Sequence, residues 1–270
     1  MSMKKWLTVT LAMVLGIGLA LAPAQASAND EGWVRVIHAS PDAPAVDVYV
    51  NGDEAVSGAE FKNATDYLAL PAGEHEIEVF PADADGEGDP VIAETVTIEA
   101  GKRYSAAAVG LLESIELLVN EDSTEVTEGK AKVRFIHASP DAPEVDVALK
   151  DGDVLFGGAA FKDAADYLEV DPGTVDLEVR PAGEKDVVLD VPGVELKGNT
   201  VYSVYAVGLA DGEPGLEAWP LVDYNQTPHG MPKTGMGGES AVSPWMPLAL
   251  AGLGLAAVAA VTVLRRRTES

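Results

Sequence analysis

The stretch Val34 to Val48, VRVIHASPDAPAVDV, returns as Val133 to Val147, VRFIHASPDAPEVDV, with 13 of 15 positions identical at an offset of 99 residues. Later landmarks keep nearly the same offset. Phe61 to Leu68 (FKNATDYL) returns as Phe161 to Leu168 (FKDAADYL), and Tyr104-Ser105 with Val109-Gly110-Leu111 returns as Tyr202-Ser203 with Val207-Gly208-Leu209. A solenoid unit is roughly 20–50 residues long, whereas a period near 100 is the size of a domain. The chain therefore reads as two tandem copies of one module.

Within the first copy, Val34 to Ile37 reads as a strand that is broken by Ser40-Pro41-Asp42-Ala43-Pro44. Val46 to Val50 and His75 to Phe80 alternate with period two, and Asn51-Gly52 after the former is a hairpin signal. Tyr67 to Leu70, Thr95 to Ile98, Tyr104 to Val109 and Ile115 to Val119 complete about seven short strands, and the second copy repeats the pattern. The expected fold class is all-β, two tandem immunoglobulin-like antiparallel β-sandwiches. Repeat 1 is expected over 29–119, a charged linker allowing modest freedom between domains over 120–131, and repeat 2 over 132–223.

The two ends carry different signals. Residues 1–28 combine Lys4 and Lys5, the apolar run Leu7 to Leu21 and the small-residue site Ala26-Ser27-Ala28, which reads as a cleaved signal peptide with a short helix. Residues 247–264 are uncharged and apolar, just long enough for a transmembrane helix, and Arg265-Arg266-Arg267 in the tail 265–270 would stay cytoplasmic. The spacer 224–246 between repeat 2 and that helix contains Met231-Pro232-Lys233-Thr234-Gly235. Pentapeptide, apolar helix and basic tail together resemble the LPXTG sorting signal of Gram-positive surface proteins, with Met231 in place of the usual Leu. The resemblance implies that sortase cleaves Thr234–Gly235 and joins Thr234 to peptidoglycan.

The whole chain carries −26; residues 1–28 contribute +2 and residues 235–270 contribute +1, so the segment between carries −29. That charge excludes nucleic acid as a partner, because phosphate binding needs clustered Lys and Arg. There are no cysteines, hence no disulfides or thiol chemistry.

The repeated V-R-[VF]-I-H-A-S-P-D-A-P-x-V-D-V opening and the later F-K-x-A-x-D-Y-L resemble domain-of-unknown-function family 4397, over both repeats. The resemblance implies exported, often tandem, often surface-anchored immunoglobulin-like sandwiches, and brings no catalytic residues with it.

Two places have side chains suited to chemistry. His38, Ser40 and Asp42, repeated as His137, Ser139 and Asp141, are the residue types of a hydrolase triad. Working triads, however, converge from separate elements on a substrate. Three residues within five positions fit a turn in which Asp42 and Asp141 cap backbone N–H groups and His38 bonds Asp47 or a backbone carbonyl, with Asp146 as the second-copy counterpart of Asp47. A ligand or metal is the alternative use. Asp83, Asp85, Glu87, Asp89 and Glu94 echo a calcium loop, with Gly88 sixth and Glu94 twelfth, although Pro90 and the absence of flanking helices depart from it. A solvated hairpin loop is the competing reading. His75 reads as a surface residue, and the recurring aromatics Phe61/Phe161 and Tyr67/Tyr167 as packing.

The function expected is that of a non-enzymatic surface protein, anchored in the wall or spanning the membrane once with its N-terminus outside. It would serve adhesion, capture of an extracellular ligand or wall structure, with sortase and peptidoglycan as processing partners. The alternatives are an extracellular hydrolase or carbohydrate-active accessory protein, and a calcium-stabilised stalk.

Overall fold

The computed structural model describes residues 30–84 and 86–226. Residues 1–28 with their signal, the sorting pentapeptide 231–235, the apolar run 247–264, the tail 265–270 and Asp85 lie outside the described residues. Among the described residues no helix is long and apolar enough to cross a membrane.

The first copy contains β1 (Glu31–His38), β2 (Val46–Val50), β3 (Asp53–Ala59), β4 (Leu68–Pro71), β5 (Gly73–Pro81), β6 (Ile92–Ile98), β7 (Arg103–Val109) and β8 (Glu116–Asp122). The second contains β9 (Ala131–His137), β10 (Val145–Leu149), β11 (Val154–Ala159), β12 (Leu168–Val170), β13 (Gly173–Pro181), β14 (Leu189–Leu196), β15 (Thr200–Val207) and β16 (Glu217–Asn225). Each copy is a sandwich of two four-stranded sheets. Their strand orders are β4-β1-β7-β8 over β3-β2-β5-β6, and β12-β9-β15-β16 over β11-β10-β13-β14.

The expected all-β tandem sandwich is present, and four of its details differ from the sequence reading. Each copy has eight strands: β3 and β11 are additional edge strands, and β3 is so largely solvated that it shows no apolar stripe. The two-residue turn before β3 places Asn51 and Gly52 at φ 55° and 82°, the mirror-image geometry that suits a tight hairpin. The sheets are not purely antiparallel, since β1 runs parallel to β7 and β9 parallel to β15. Both first strands are central in their sheets and leave by a crossover to the other sheet before the chain returns. The linker is shorter than 120–131: β8 continues to Asp122 and β9 starts at Ala131, because Asp122 is drawn into the protein interior. At the other end β16 runs to Asn225, into the segment expected as spacer.

The largest correction concerns freedom between the copies. Alternate residues of β1 and β7 point to opposite faces. Val34 and Val36 of β1, with Tyr104, Ala106 and Ala108 of β7, fill sandwich 1. Ile37, Ala107 and Val109 point the other way and meet Ile136, Tyr205 and Val207 of the second copy in one buried cluster. Phe61, Phe161, Leu118, Trp219 and Leu221 pack around it. The two inner sheets thus face each other, and the described residues of the two copies share one buried apolar contact.

At the rim of this contact Lys62 pairs with Glu217 at 2.7 Å and Lys162 pairs with Glu116 at 2.8 Å, each lysine reaching the other copy. Both lysines have left-handed backbone, φ 63° and 73°, where their loops cross the ends of β1 and β9. All four side chains are about a third to a half exposed, so solvent screening dominates. Lys62→Ala and Lys162→Ala are each expected to lower stability by less than about 1 kcal/mol, read from the urea midpoint.

Candidate functional site

The repeated signature builds two kinds of site, a loop at the end of each first strand and one charged centre between the copies.

In the loop, His38 is 1% exposed and His137 is 0% exposed. The Nε2–H of His38 donates to the Pro44 carbonyl at 3.0 Å, and His137 does the same to Pro143 at 3.1 Å. A ring nitrogen facing a carbonyl must carry the proton, which fixes the tautomer. The opposite nitrogen, Nδ1, is buried in both residues without a protein partner. Burial pushes both imidazoles below the usual histidine range, against the raising effect of the proline carbonyls. The strand end is clamped from outside as well. Lys62 N donates to His38 O and His38 N to Asn63 O, with the same pair of bonds among Lys162, His137 and Asp163.

The aspartates are spent on backbone donors. Asp42 accepts from Leu112 N at 2.8 Å, and Asp141 accepts from Ala210 N at 2.7 Å and Asp211 N at 3.1 Å. Each ties its loop to the segment after β7 or β15. Burial would raise the Asp141 carboxyl, but these N–H donors outweigh it and hold the group below its ordinary range. Ser139 donates to Gly208 O at 2.7 Å. Asp47 accepts from Gly58 N at 2.7 Å and Asp146 from Gly158 N at 2.8 Å, holding the irregular pairing of β2 with β3 and of β10 with β11. The histidine partner is therefore a backbone carbonyl and not Asp47. His75 is buried, contrary to the surface reading, with Nε2 bonded to Pro71 O at 2.7 Å and Nδ1 facing the Asn51 amide at 2.9 Å.

Asp83 lies in a short 3-10 turn, Glu87 and Asp89 are exposed in the following loop, and Glu94 is exposed on β6 opposite Ile77. Among the described residues no group of three or more His, Asp or Glu side chains is placed to hold a metal ion.

The second site was not anticipated. Arg35 on β1 reaches the other copy, with Nη2 bonding Asp223 Oδ1 of β16 at 2.7 Å and Nη1 donating to Val222 O at 3.1 Å. Arg134 on β9 makes the reciprocal bonds to the Asp122 carboxylate and to Glu121 O of β8. Within each copy the same carboxylate is held by a serine and a tyrosine. Ser105 and Tyr67 donate to Asp122 at 2.6 and 2.7 Å, and Ser203 and Tyr167 donate to Asp223 at 2.6 and 2.8 Å. Tyr67 and Tyr167 also lie under the guanidinium groups of Arg35 and Arg134, at 5.0 and 4.7 Å. Both aspartates have fully buried side chains and both arginines nearly so. Burial and the adjacent Asp122 charge push the Asp223 carboxyl up, while Arg35 and Ser203 oppose them. Burial first, and the nearby carboxylates second, push both tyrosine hydroxyls far above their usual range. Two positive and two negative charges, each hydrogen-bonded to several partners, make this a buried structural centre.

The arrangement is a pseudo-twofold exchange, each arginine paired with the other copy's acid. It accounts for the spacing of R-x-I-H and of F-K-x-A-x-D-Y in the repeat: arginine, isoleucine, phenylalanine, lysine and tyrosine all serve the contact between copies. The sequence did hold a signal. Trp33 to Ile37 and Tyr104 to Val109 are rich in apolar or small residues on both faces, as expected of strands covered on both sides.

No curated protein is detectably similar in sequence. Among solved structures, the C-terminal domain of AlgF from P. aeruginosa is 16% identical with a TM-score of 0.25, covering 36% of this chain and 99% of that one. The Bacillus anthracis TIE protein is 13% identical with a TM-score of 0.23, covering 67% of this chain and 34% of that one. A Parabacteroides distasonis protein named for a suspected role in cell adhesion is 11% identical with a TM-score of 0.19, covering 72% of this chain and 99% of that one. Residues 32–148 and 149–233 match the family described as "Domain of unknown function (DUF4397)", and with both segments together spanning most of its length the chain belongs to that family.

Proposed function

We propose that the protein is a non-catalytic surface module, exported through its N-terminal signal and tethered by its C-terminal segment, with sortase joining Thr234 to peptidoglycan. The observation that carries the non-catalytic half is the fate of the signature side chains. His38 and His137 spend Nε2 on proline carbonyls, Asp42, Asp141, Asp47 and Asp146 accept from backbone N–H groups, and Arg35 and Arg134 are closed into the centre between the copies. A catalytic constellation needs groups that converge on an accessible substrate, whereas both histidines are buried and the exposed Asp42 and Asp141 are held by backbone N–H groups. The tethering half rests on the order of pentapeptide, apolar run and basic tail in the sequence. The rigid double sandwich then serves to hold a binding or spacing surface outside the cell.

The test is fractionation of a sortase-bearing Gram-positive host. The wild-type chain is expected to be released with wall fragments by muramidase, and Thr234→Ala to stay with the membrane. Wild-type protein found wholly in the membrane fraction would reject wall linkage. Esterase or peptidase turnover that disappears with His38→Ala would reject the non-catalytic reading.

A further inference from the structure

The two copies differ in one respect that their shared signature does not explain. Between the sheets of the second sandwich lies a cavity of about 260 Å³. In the first sandwich the gap bordered by Val36, Val48, Ile77 and Ala106 is about 10 Å³. Four matched positions line both: Val36 and Phe135, Val48 and Val147, Ile77 and Leu177, Ala106 and Val204. The second copy has the bulkier set overall and yet the larger void. Phe135 and Phe156 stand where the first copy has Val36 and Val56, stack with ring centroids 6.4 Å apart, and both line the cavity.

The wall is apolar except at the mouth, which is marked by the two exposed lining residues, Leu149 and Asp171. Val154, next to the lining and 49% exposed, continues the apolar rim. We propose that this cavity is a binding site for one small, uncharged apolar molecule, such as a medium-length aliphatic alcohol or a single-ring hydrocarbon. The volume sets the size class: a dry cavity of roughly 150 Å³ lined by Leu, Ile and Phe already accepts benzene, and sites for drug-sized ligands begin near 300 Å³. An unfilled apolar void also leaves its lining without packing partners, which a guest restores. Asp171 sets the charge class. Its carboxylate at the mouth, on a strongly acidic chain, disfavours a fatty acid, whose head group would sit beside it; Lys130, 2.6 Å from Asp171, is already engaged there. The inference stands on the cavity alone and does not depend on how the chain is tethered.

Full-length protein with isotopically labelled Leu and Val methyl groups is titrated with 1-octanol and, separately, with octanoate. Octanol is expected to give saturable shifts at Val147, Leu177, Val194 and Val204 while Val48 and Val79 of the first copy stay unmoved, with octanoate about tenfold weaker. Val204→Phe and, independently, Val194→Phe fill the cavity and are expected to weaken octanol by at least about tenfold. Because the wild-type titration stands alone, a variant that fails to fold leaves the test intact. Absence of saturable shifts, equal shifts in both copies, or binding unchanged in a folded filled variant would overturn the site. Octanoate binding as tightly as octanol would overturn its charge class.

Discussion

Arg35→Ala is expected to lower the unfolding free energy by about 3–5 kcal/mol, the cost of leaving a buried carboxylate without its ion partner. The carboxylate is Asp223, which belongs to the other copy and whose side chain is wholly buried. For a unit of this size that loss is roughly 6–20 °C in Tm. Ser203 and Tyr167 would still donate to Asp223, but neither carries charge, and Arg134 is committed to Asp122. The non-local readout is decisive. Although the substitution lies on β1, hydrogen exchange should accelerate in β16, where Asp223 sits opposite β15. Asp223→Ala is expected to cost a similar amount, and the double variant less than the two together by about 0.5–3 kcal/mol, the coupling typical of contacting residues. A loss below about 1 kcal/mol, as for an exposed pair, would mean that the two copies are not joined through this centre.

The sequence made the strands of the outer sheets legible, because one face of each is solvated. HEIEVF on β5 alternates as it must when Ile77 and Val79 point inward and Glu76 and Glu78 point out. It hid β3, whose few apolar residues leave no period to detect, and the parallel pairing of β1 with β7, which depends on a crossover that strand propensity does not encode. The contact between copies was hidden for a different reason. An arginine inside an apolar strand reads as a solvated residue, since lone arginines are rarely buried. Its partner lies 188 positions away on a strand of the other copy. The duplication itself was the usable clue. Arg35, Ile37, Phe61, Lys62 and Tyr67 recur as a set, and a set that turns one face toward the other copy explains both the recurrence and the twofold exchange. The cavity was not legible at all. Phe135 and Phe156 carry no sequence signal for a void, which appears only once the two sheets are packed.

The molecule is expected to lose stability steeply below about pH 6.5, the ordinary histidine pKa, through His38 and His137. Burial lowers both imidazoles in the folded protein, while the unfolded chain keeps the ordinary value. Between the two values the unfolded state binds more protons than the folded one, so stability rises with pH and falls as acid is added. The stabilisation is fully present above the unfolded pKa, declines below it, and levels off once the pH passes beneath the folded values. Each histidine contributes at most about 1.4 kcal/mol per pH unit in that window, so the pair sets a slope of up to about 2.7 kcal/mol per unit. The structural cause is specific. Protonation must occur at Nδ1, which is buried without a protein acceptor, because Nε2 already donates to Pro44 or Pro143. Asp163 eases the charge at His137 only slightly, and His38 has no such neighbour acting on it. Urea unfolding of His38→Gln and His137→Gln between pH 7.5 and 5 is the check. Each variant is expected to be less stable than wild type at pH 7.5 and to lose about half of the histidine-dependent slope. A wild-type slope that survives both substitutions would assign the acid sensitivity to the carboxylates and remove the histidines from the account.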